Sequence, residues 1–486
     1  MATISKEINH SNIFEKISDF LKFNDAFEIS STLFNCLESD AERVFLVYSI
    51  LNSSLLLPDI KIKEEKLESK AEHWRKEGNA AFMKKQDINA IKWYTQSIGY
   101  AIPENKEMSL ALANRSAVTF ALGEYSQSIR DIDAALNGKY PDNLKYKLYE
   151  RKGKCFQKLN LEASAKKYFE IAAKWISNSS LNESKQESIR RNIEREISNC
   201  TNKDYPLEKK DSIIPNVSHP NPEILSASSS IKIEYDACIG RHLRATQDIL
   251  PGDVLVVEQP YASILLPNDY LLYCNHCLMR CHCMIPCATC TLVFYCSEFC
   301  KEKSWETNHK IECIILNSLL SFGLNKIELL SLRTLLVSMN KSSLEIVINQ
   351  FSEIENYNDL RTKGFSSIGQ YDSSDYRSVH HLVGNTELRS NCDLFRRSVI
   401  AACILHYLIL SRQFFPEACE KIKVPFIKSV ELPFLFNLKT PLSDVKAFVG
   451  GLILRYLQSF PSNAHEVTEM VINRNGSKNV YDSHEM

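Results

Sequence analysis

The sequence predicts a mostly α-helical protein with a small β part. From residue 71 to residue 176, the same residue classes return with a period of about 35 residues, which is typical of stacked helical repeats. Apolar residues recur at helical spacing in three later segments, 314–351, 394–411 and 443–459. The β part is predicted from three short runs, 231–235, 242–246 and 253–258, which are separated by Gly240 and the turn Pro251-Gly252.

Composition fits a globular protein with several cores. The 486 residues are 44% hydrophobic and 24% charged, and this length predicts about two to four domains. The 58 basic and 59 acidic residues give a net charge of -1, so no chain-wide basic field favours nucleic acid or an anionic membrane. The cysteine-rich segment likewise has no dense basic stripe, which makes direct DNA recognition a poor hypothesis.

Neither secretion nor membrane insertion is expected. The start MATISKEINHSNIFEK has polar and acidic residues where a signal peptide needs a basic and then an apolar region. The most apolar stretch, Val399 to Leu410, is shorter than the roughly 20 residues of a membrane helix. Of the 16 cysteines, nine fall between Cys274 and Cys313, which favours metal binding over disulfides.

The repeats between residues 71 and 176 place small residues where helices must approach closely. Gly78, Ser116 and Gly153 correspond to one another, as do Ala90, Ser128 and Ala165. An ordinary helical bundle is the alternative, but it would not be expected to return the same classes three times. The units resemble tetratricopeptide repeats, and the residues at that family's signature positions are Trp74, Gly78, Ala90 and Tyr94.

Four short pairs of metal-binding residues lie in the cysteine-rich segment: Cys274 and Cys277, Cys287 and Cys290, Cys296 and Cys300, and His309 and Cys313. Four such pairs are what two tetrahedral zinc sites require. With every ligand supplied by the protein, both ions would be structural rather than catalytic.

The order of these pairs resembles the MYND zinc finger, in which the pairs interleave. The resemblance implies one ion on Cys274, Cys277, Cys296 and Cys300, and another on Cys287, Cys290, His309 and Cys313. Cys281 and Cys283 are predicted to be unliganded, the alternative being that one of them replaces a lost ligand. His276 and His282 are predicted to be exposed loop residues.

The segment IGRHLRATQDILPGDVLVVEQPYASIL (239–265) lies just before the finger. Together with the repeats and the finger, it resembles the SET and MYND domain protein-lysine methyltransferases, in the branch that has N-terminal tetratricopeptide repeats. The resemblance implies S-adenosylmethionine as cofactor. The cofactor-binding residues that it implies are Gly240, Arg241, His242 and Asn463, although relatives have a second glycine at the position of His242. From the residues alone, Asn463 would be a cap or turn residue.

These features predict six segments in chain order. They are a helical segment (1–70), tetratricopeptide repeats (71–199), a proline-containing linker (200–230), the first part of the SET domain (231–273), the MYND finger (274–313), and a helical SET-associated region (314–486) that is truncated before the catalytic SET half.

No catalytic residue is assigned. Relatives continue with an N-H-S-C motif, a tyrosine that closes the lysine channel, and a cysteine-rich end. Here the one Asn-Cys dipeptide after residue 314 is Asn391-Cys392, and no cysteine follows Cys419. Because lysine methylation depends on positioning and desolvation, the chain as given is expected to be inactive.

The first helices of the repeats carry a set of side chains at matching positions: Arg75, Asn79, Asn114, Lys147 and Arg151. Spacings of four residues place the members of each pair on one helix face, and stacking aligns the faces into a groove. The set resembles the carboxylate clamp that binds the C-terminal tails of heat-shock chaperones. A solvated charged face is the alternative.

The family resemblance thus predicts a protein-lysine N-methyltransferase that acts on histone or other protein lysines. The alternative is a non-catalytic scaffold that binds chaperone tails through its repeats and transcriptional co-repressors, such as histone deacetylases, through its finger. The family further implies a location in nucleus and cytoplasm.

Overall fold

A computed structural model describes residues 8–61, 64–204, 215–341, 344–417, 419, 422, 424, 442–471 and 482–485. The chain divides into two compact units, and each is treated by itself. The helical unit comprises residues 1–62, 213–264 and 306–467, and the repeat unit comprises residues 63–212, 265–305 and 468–486.

The α-helices, in chain order, are α1 (Ile13–Phe23), α2 (Phe27–Cys36), α3 (Asp40–Ser53), α4 (Glu68–Met83), α5 (Asp87–Tyr100), α6 (Lys106–Ala121), α7 (Tyr125–Asn137), α8 (Lys145–Lys158), α9 (Glu162–Trp175), α10 (Glu183–Asn199), α11 (Glu298–Ser304), α12 (Lys310–Phe322), α13 (Lys326–Lys341), α14 (Leu344–Glu355), α15 (Tyr376–His380), α16 (Asn391–Leu410) and α17 (Asp444–Asn463). Among the described residues, the strands form three antiparallel pairs: β1 (Ile231–Asp236) with β2 (Gly240–Ala245), β3 (Ile285–Pro286) with β4 (Phe294–Tyr295), and β5 (Thr468–Val471) with β6 (Asp482–Glu485). The prediction of a mostly helical fold with a small β part is confirmed.

The helical unit has one large apolar core, in which α3, α13, α16 and α17 pack together. A capping box begins α3, because the Ser39 hydroxyl accepts from the Glu42 amide while the Glu42 carboxylate accepts from the Ser39 amide. Along α16 every residue from Ser398 to Leu405 is buried, so this apolar run is a core helix. No helix in the described part of the chain combines the length and apolarity needed to cross a membrane.

The β1–β2 hairpin lies where two strands were predicted, with Ile231 opposite Ala245. Its turn depends on Gly240, whose φ of +75° favours glycine. The third predicted strand, 253–258, is wrong. Val256 makes only an isolated bridge to Ala227, and both Val254 and Val256 are exposed, so this run has one bridging contact instead of a strand ladder.

The repeats form antiparallel helix pairs, α4 with α5, α6 with α7, and α8 with α9, followed by α10. A Cβ added to Gly78 would lie 2.5 Å from the ring of Tyr94, and one added to Gly153 would lie 2.7 Å from the ring of Phe169. The same close approach therefore recurs in the first and third repeats, as their sequences predict. Residues 205–214 of the predicted linker lie outside the described residues.

Candidate metal centre and binding groove

The first predicted ligand set is brought together. The four sulfur atoms of Cys274, Cys277, Cys296 and Cys300 all lie within 4.8 Å of one another. Neighbouring sulfurs are 3.6 Å apart between Cys277 and Cys296 and 3.5 Å apart between Cys296 and Cys300. Zinc bound tetrahedrally at about 2.3 Å would hold its sulfurs about 3.8 Å apart, so the donor set and the spacing both fit this ion.

Local structure explains how the sulfurs of this set converge. Cys296 directly follows β4, and Ser297 caps α11 by accepting a hydrogen bond from the amide of Cys300. The cap holds Cys300 on the first turn of the helix, next to Cys296. A hydrogen bond from the Cys277 thiol lowers the pKa of Cys274 to about 4, which favours the thiolate form that metals bind.

The second predicted ligand set takes residues from both units and stays a prediction. Cys287 and Cys290 lie in the repeat unit, His309 and Cys313 lie in the helical unit, and all four residues are buried. A π-helical turn, Trp305–His309, joins α11 to α12. His309 is its last residue and Cys313 follows four positions later, so both face the same side of the helix. The first set could therefore hold a zinc ion, and the second zinc site stays a prediction.

The finger packs on the second repeat within the repeat unit. Arg115 is 1% exposed and binds both carboxylate oxygens of Asp131 at 2.8 and 2.7 Å. Its guanidinium also donates to the carbonyl of Met284, at 3.0 Å. Arg130 donates to the carbonyl of Cys296. The repeat helices α6 and α7 thus contact the finger backbone through side chains that the sequence analysis missed.

His282 corrects one prediction. It was expected to be an exposed loop residue, but it is only 6% exposed. Its Nδ1 lies 2.9 Å from the carboxylate of Glu124, and its amide donates to the side chain of Gln127 at 2.8 Å. The second repeat covers this part of the finger, and the local sequence does not predict that contact.

The five residues of the proposed clamp lie on α4, α6 and α8, the first helices of the three repeats. Asn114 Nδ2 donates to Asn79 Oδ1 at 2.8 Å, and Tyr94 donates to the same oxygen at 2.8 Å. These two bonds use the carbonyl of Asn79 and orient its amide group. The two asparagines, 35 positions apart, are therefore directly joined across neighbouring repeats.

Arg75 already has a carboxylate partner. Its Nε lies 2.7 Å from Glu107 Oε2, and both side chains are largely buried, with exposures of 16% and 17%. Glu107 was missed, although it lies seven residues before Asn114 and therefore on the same face of α6. An acidic ligand at Arg75 must compete with this internal carboxylate.

The third repeat contributes one anchored and one exposed cation. Arg151 Nη1 donates to the carbonyl of Ala113 at 2.9 Å and to the hydroxyl of Ser116 at 2.7 Å, and burial lowers its pKa. Lys147, one turn earlier on α8, is exposed. Arg151 therefore joins the second and third repeats, and Lys147 is the clamp cation most accessible to a ligand.

The residues predicted to bind the cofactor lie in the helical unit. His242 Nδ1 lies 3.0 Å from the carbonyl of Gly240, and burial lowers the pKa of Arg241. Asn463 ends α17 and donates to the carbonyls of Ser459 at 2.7 Å and Val383 at 3.1 Å. Asn463 therefore bonds to the last turn of its own helix and to a neighbouring segment, and the cofactor role of all four residues stays a prediction.

Comparison with known proteins finds similar sequences among the protein-lysine N-methyltransferases. No established family profile matches the chain. Protein-lysine N-methyltransferase SMYD4 of Pongo abelii is 28% identical over 458 residues, which is 83% of this chain and 55% of that protein. SMYD4 of Homo sapiens is 30% identical over 275 residues, which is 51% of this chain and 34% of that protein. These similarities agree with the repeats and with the spacing of the predicted ligand pairs.

The chain is similar to members of the SET and MYND domain family over most of its length.

The resemblance is to the members of that family that have N-terminal tetratricopeptide repeats. It spans about half or less of the length of these curated relatives. A solved structure, the first tetratricopeptide domain of Spaghetti bound to the HSP90 peptide SRMEEVD, is 22% identical, covers 28% of this chain and 99% of that chain, and gives a TM-score of 0.23. A TM-score of this size establishes no shared fold, so the assignment of repeats depends on the helix pairs themselves.

Proposed function

We propose that this chain is part of a protein-lysine N-methyltransferase that uses S-adenosylmethionine and acts on histone or other protein lysines. The observation that carries the proposal is the 28% identity to SMYD4 over 83% of the chain, and the convergence of Cys274, Cys277, Cys296 and Cys300 supports it. Two structural zinc ions would hold the finger. Gly240, Arg241, His242 and Asn463 would contact the cofactor, whose sulfonium supplies the methyl group.

The methyltransferase assignment is best tested on the protein as its own cells make it. An affinity tag placed at the N-terminus of the endogenous gene would recover the polypeptide with whatever follows residue 486. We expect it to transfer labelled methyl groups from S-adenosylmethionine to lysines of a mixed protein substrate. Lack of transfer to any protein in that mixture, with zinc bound and the fold intact, would overturn the assignment.

For these 486 residues alone, the proposed role is a scaffold. Their sequence has no residues assigned to the lysine channel, so we expect the recombinant chain to methylate nothing in the same assay. Turnover by the recombinant chain would refute the proposed inactivity while supporting the enzymatic assignment. The two outcomes therefore separate the enzyme hypothesis from the scaffold hypothesis.

The scaffold role is supported by the groove on α4, α6 and α8. The amide of Asn79 is oriented by the bond from Asn114, and Lys147 offers an exposed cation. Amide and ammonium donors on one groove suit a carboxylate ligand, because charge-assisted hydrogen bonds are the strong ones. We propose that the groove binds the acidic C-terminal tail of a heat-shock chaperone.

The groove is tested with the peptide SRMEEVD and titration calorimetry. Lys147→Ala should weaken binding about tenfold or more, since a charged hydrogen bond contributes about 1.5–3 kcal/mol. Lys154→Ala is the matched control, because Lys154 lies on the same helix and pairs with Glu150 at 40% exposure. Equal affinity of Lys147→Ala and the parent chain, or of the peptide and its C-terminal amide, would exclude the clamp.

The finger and the location of the protein complete the proposal. The finger would bind proline-rich segments of transcriptional co-repressors, such as those associated with histone deacetylases, and the protein would work in nucleus and cytoplasm. Support comes from the family resemblance alone. Fractionation of cells that carry the tagged gene tests the location, and recovery of histone deacetylase activity with the tag tests the partner.

A further inference from the structure

Two cysteines of the finger lie outside both ligand sets. Cys281 and Cys283 are 6% and 2% exposed, and their sulfur atoms are 3.8 Å apart. Neither residue belongs to a group whose ligand atoms converge in the manner of the first zinc set. The finger therefore contains a buried dithiol that its two predicted zinc sites do not use.

Tertiary contacts fix the backbone around this dithiol. The amide of Cys281 donates to the carbonyl of Leu272 at 2.9 Å, and the amide of His282 donates to Gln127 Oε1 at 2.8 Å. The Cys281 sulfur itself lies 3.7 Å from the same Gln127 oxygen. The two sulfurs consequently face each other because the repeat and the finger hold both sides of the segment.

The charges around the pair favour a thiolate over a bound cation. A hydrogen bond from Cys283, together with the charges of Arg130 and Arg115, lowers the pKa of Cys281. Two sulfurs are also fewer than the four ligands of a structural zinc site. A sulfenic acid condenses with a neighbouring thiol to a disulfide, so two adjacent sulfurs fit thiol oxidation better than a third metal site.

We propose that Cys281 and Cys283 are a reversible oxidation site, at which a hydroperoxide converts the two thiols into an intramolecular disulfide. The Cys281 thiolate attacks one peroxide oxygen and the O–O bond breaks, which leaves a sulfenic acid and releases one water after protonation. The Cys283 sulfur then attacks the sulfenic sulfur, forms the S–S bond and displaces a second water. Two thiols and one hydrogen peroxide thus give one disulfide and two waters.

The disulfide changes the contact between the finger and the repeat. The two sulfurs must close from 3.8 Å to about 2.05 Å, and Cys281 loses the S–H group that faces Gln127. Both changes occur beside α7, which contains Gln127 and Arg130. The site would therefore report the redox state of its surroundings at the junction of repeat and finger, independently of any methyltransferase or clamp activity.

The test uses the zinc-loaded full chain and a low molar excess of hydrogen peroxide. After unfolding, chelation and alkylation, trypsin releases residues 281–301, which contain six cysteines. We expect four alkyl groups instead of six on this peptide, with both unmodified positions at Cys281 and Cys283, and six after reduction. Zinc release, followed with a coloured chelator, should lag behind disulfide formation.

Two serine variants and two buried cysteines serve as controls. Cys283→Ser should give no disulfide and should leave a sulfenic acid at Cys281 that dimedone traps, whereas Cys281→Ser should give neither product. Cys155 and Cys403, which are fully buried, should stay fully alkylated. Six alkyl groups after peroxide treatment, or oxidation of the zinc ligands before that of Cys281, would overturn the proposal.

Discussion

At the scale of single residues, the groove is defined as much by Glu107 as by the five residues that resemble a clamp. Arg75 is held by this internal carboxylate at 2.7 Å, while Asn79 and Asn114 bond to each other. The carboxylate of Glu107 repels the carboxylate of an acidic ligand. It also already pairs with the guanidinium of Arg75, which the ligand would need. An acidic ligand must therefore bind strongly enough to displace Glu107 from Arg75.

Replacing Glu107 should therefore strengthen peptide binding. Glu107→Gln frees Arg75 and removes a negative charge next to the ligand, so the affinity for SRMEEVD should rise about threefold to tenfold, equivalent to about 1 kcal/mol. Titration calorimetry measures the change. Glu170→Gln, at an exposed position on α9, makes the same change in net charge outside the groove and should have no effect. A weaker complex with Glu107→Gln would show that Glu107 supports binding.

At the scale of secondary-structure elements, the repeats depend on close helix contacts. Gly78 faces Tyr94 and Gly153 faces Phe169 at distances that leave no room for a Cβ. In the second repeat, the corresponding Ser116 is fully buried and accepts a hydrogen bond from Arg151. The repeat period of the sequence therefore corresponds to a recurring close contact between helices. In the second repeat, Ser116 stands at this position and its hydrogen bond to Arg151 links the second and third repeats.

Because of this close contact, replacing Gly78 with alanine should lower stability, whereas the same change in an exposed helix raises it. In an exposed helix, Gly→Ala stabilises by about 1 kcal/mol, but Gly78→Ala should destabilise the repeats by about 1–3 kcal/mol because its Cβ would lie 2.5 Å from the Tyr94 ring. Urea unfolding followed by tryptophan fluorescence measures the change. Gly384→Ala is the control, since its Cβ would meet its nearest neighbour at 3.4 Å. Stabilisation by Gly78→Ala would contradict the packing described here.

At the scale of the whole molecule, the repeat unit combines segments that are far apart in sequence. Arg115 of the second repeat donates to Met284 of the finger, 169 positions later, and Glu124 pairs with His282 across 158 positions. Arg115 also neutralises Asp131 in the interior. The folding of the finger and the stability of the repeats are therefore linked through contacts within one unit.

Removal of zinc should consequently weaken the repeats without unfolding them. A strong zinc chelator should disorder the finger, since structural zinc sites contribute about 10–16 kcal/mol to folding of such modules. The repeats, which keep their own core, should lose only about 1–2 kcal/mol as the contacts to Met284 and His282 disappear. Circular dichroism and urea unfolding measure both effects, and added zinc should reverse them. Complete loss of helicity would show that the repeats cannot fold without the finger.

The sequence by itself predicted the helical repeats, the eight candidate zinc ligands and the resemblance to the SET and MYND domain family, because these depend on local spacing and on residue classes that recur along the chain. The strand predicted at 253–258 failed since a strand needs a partner that local alternation does not supply. Only the tertiary structure decided that Glu107 pairs with Arg75, that the repeat buries His282, and that Cys281 faces Cys283. These are contacts between side chains whose approach is set by packing between helices and the finger, for which no sequence period exists.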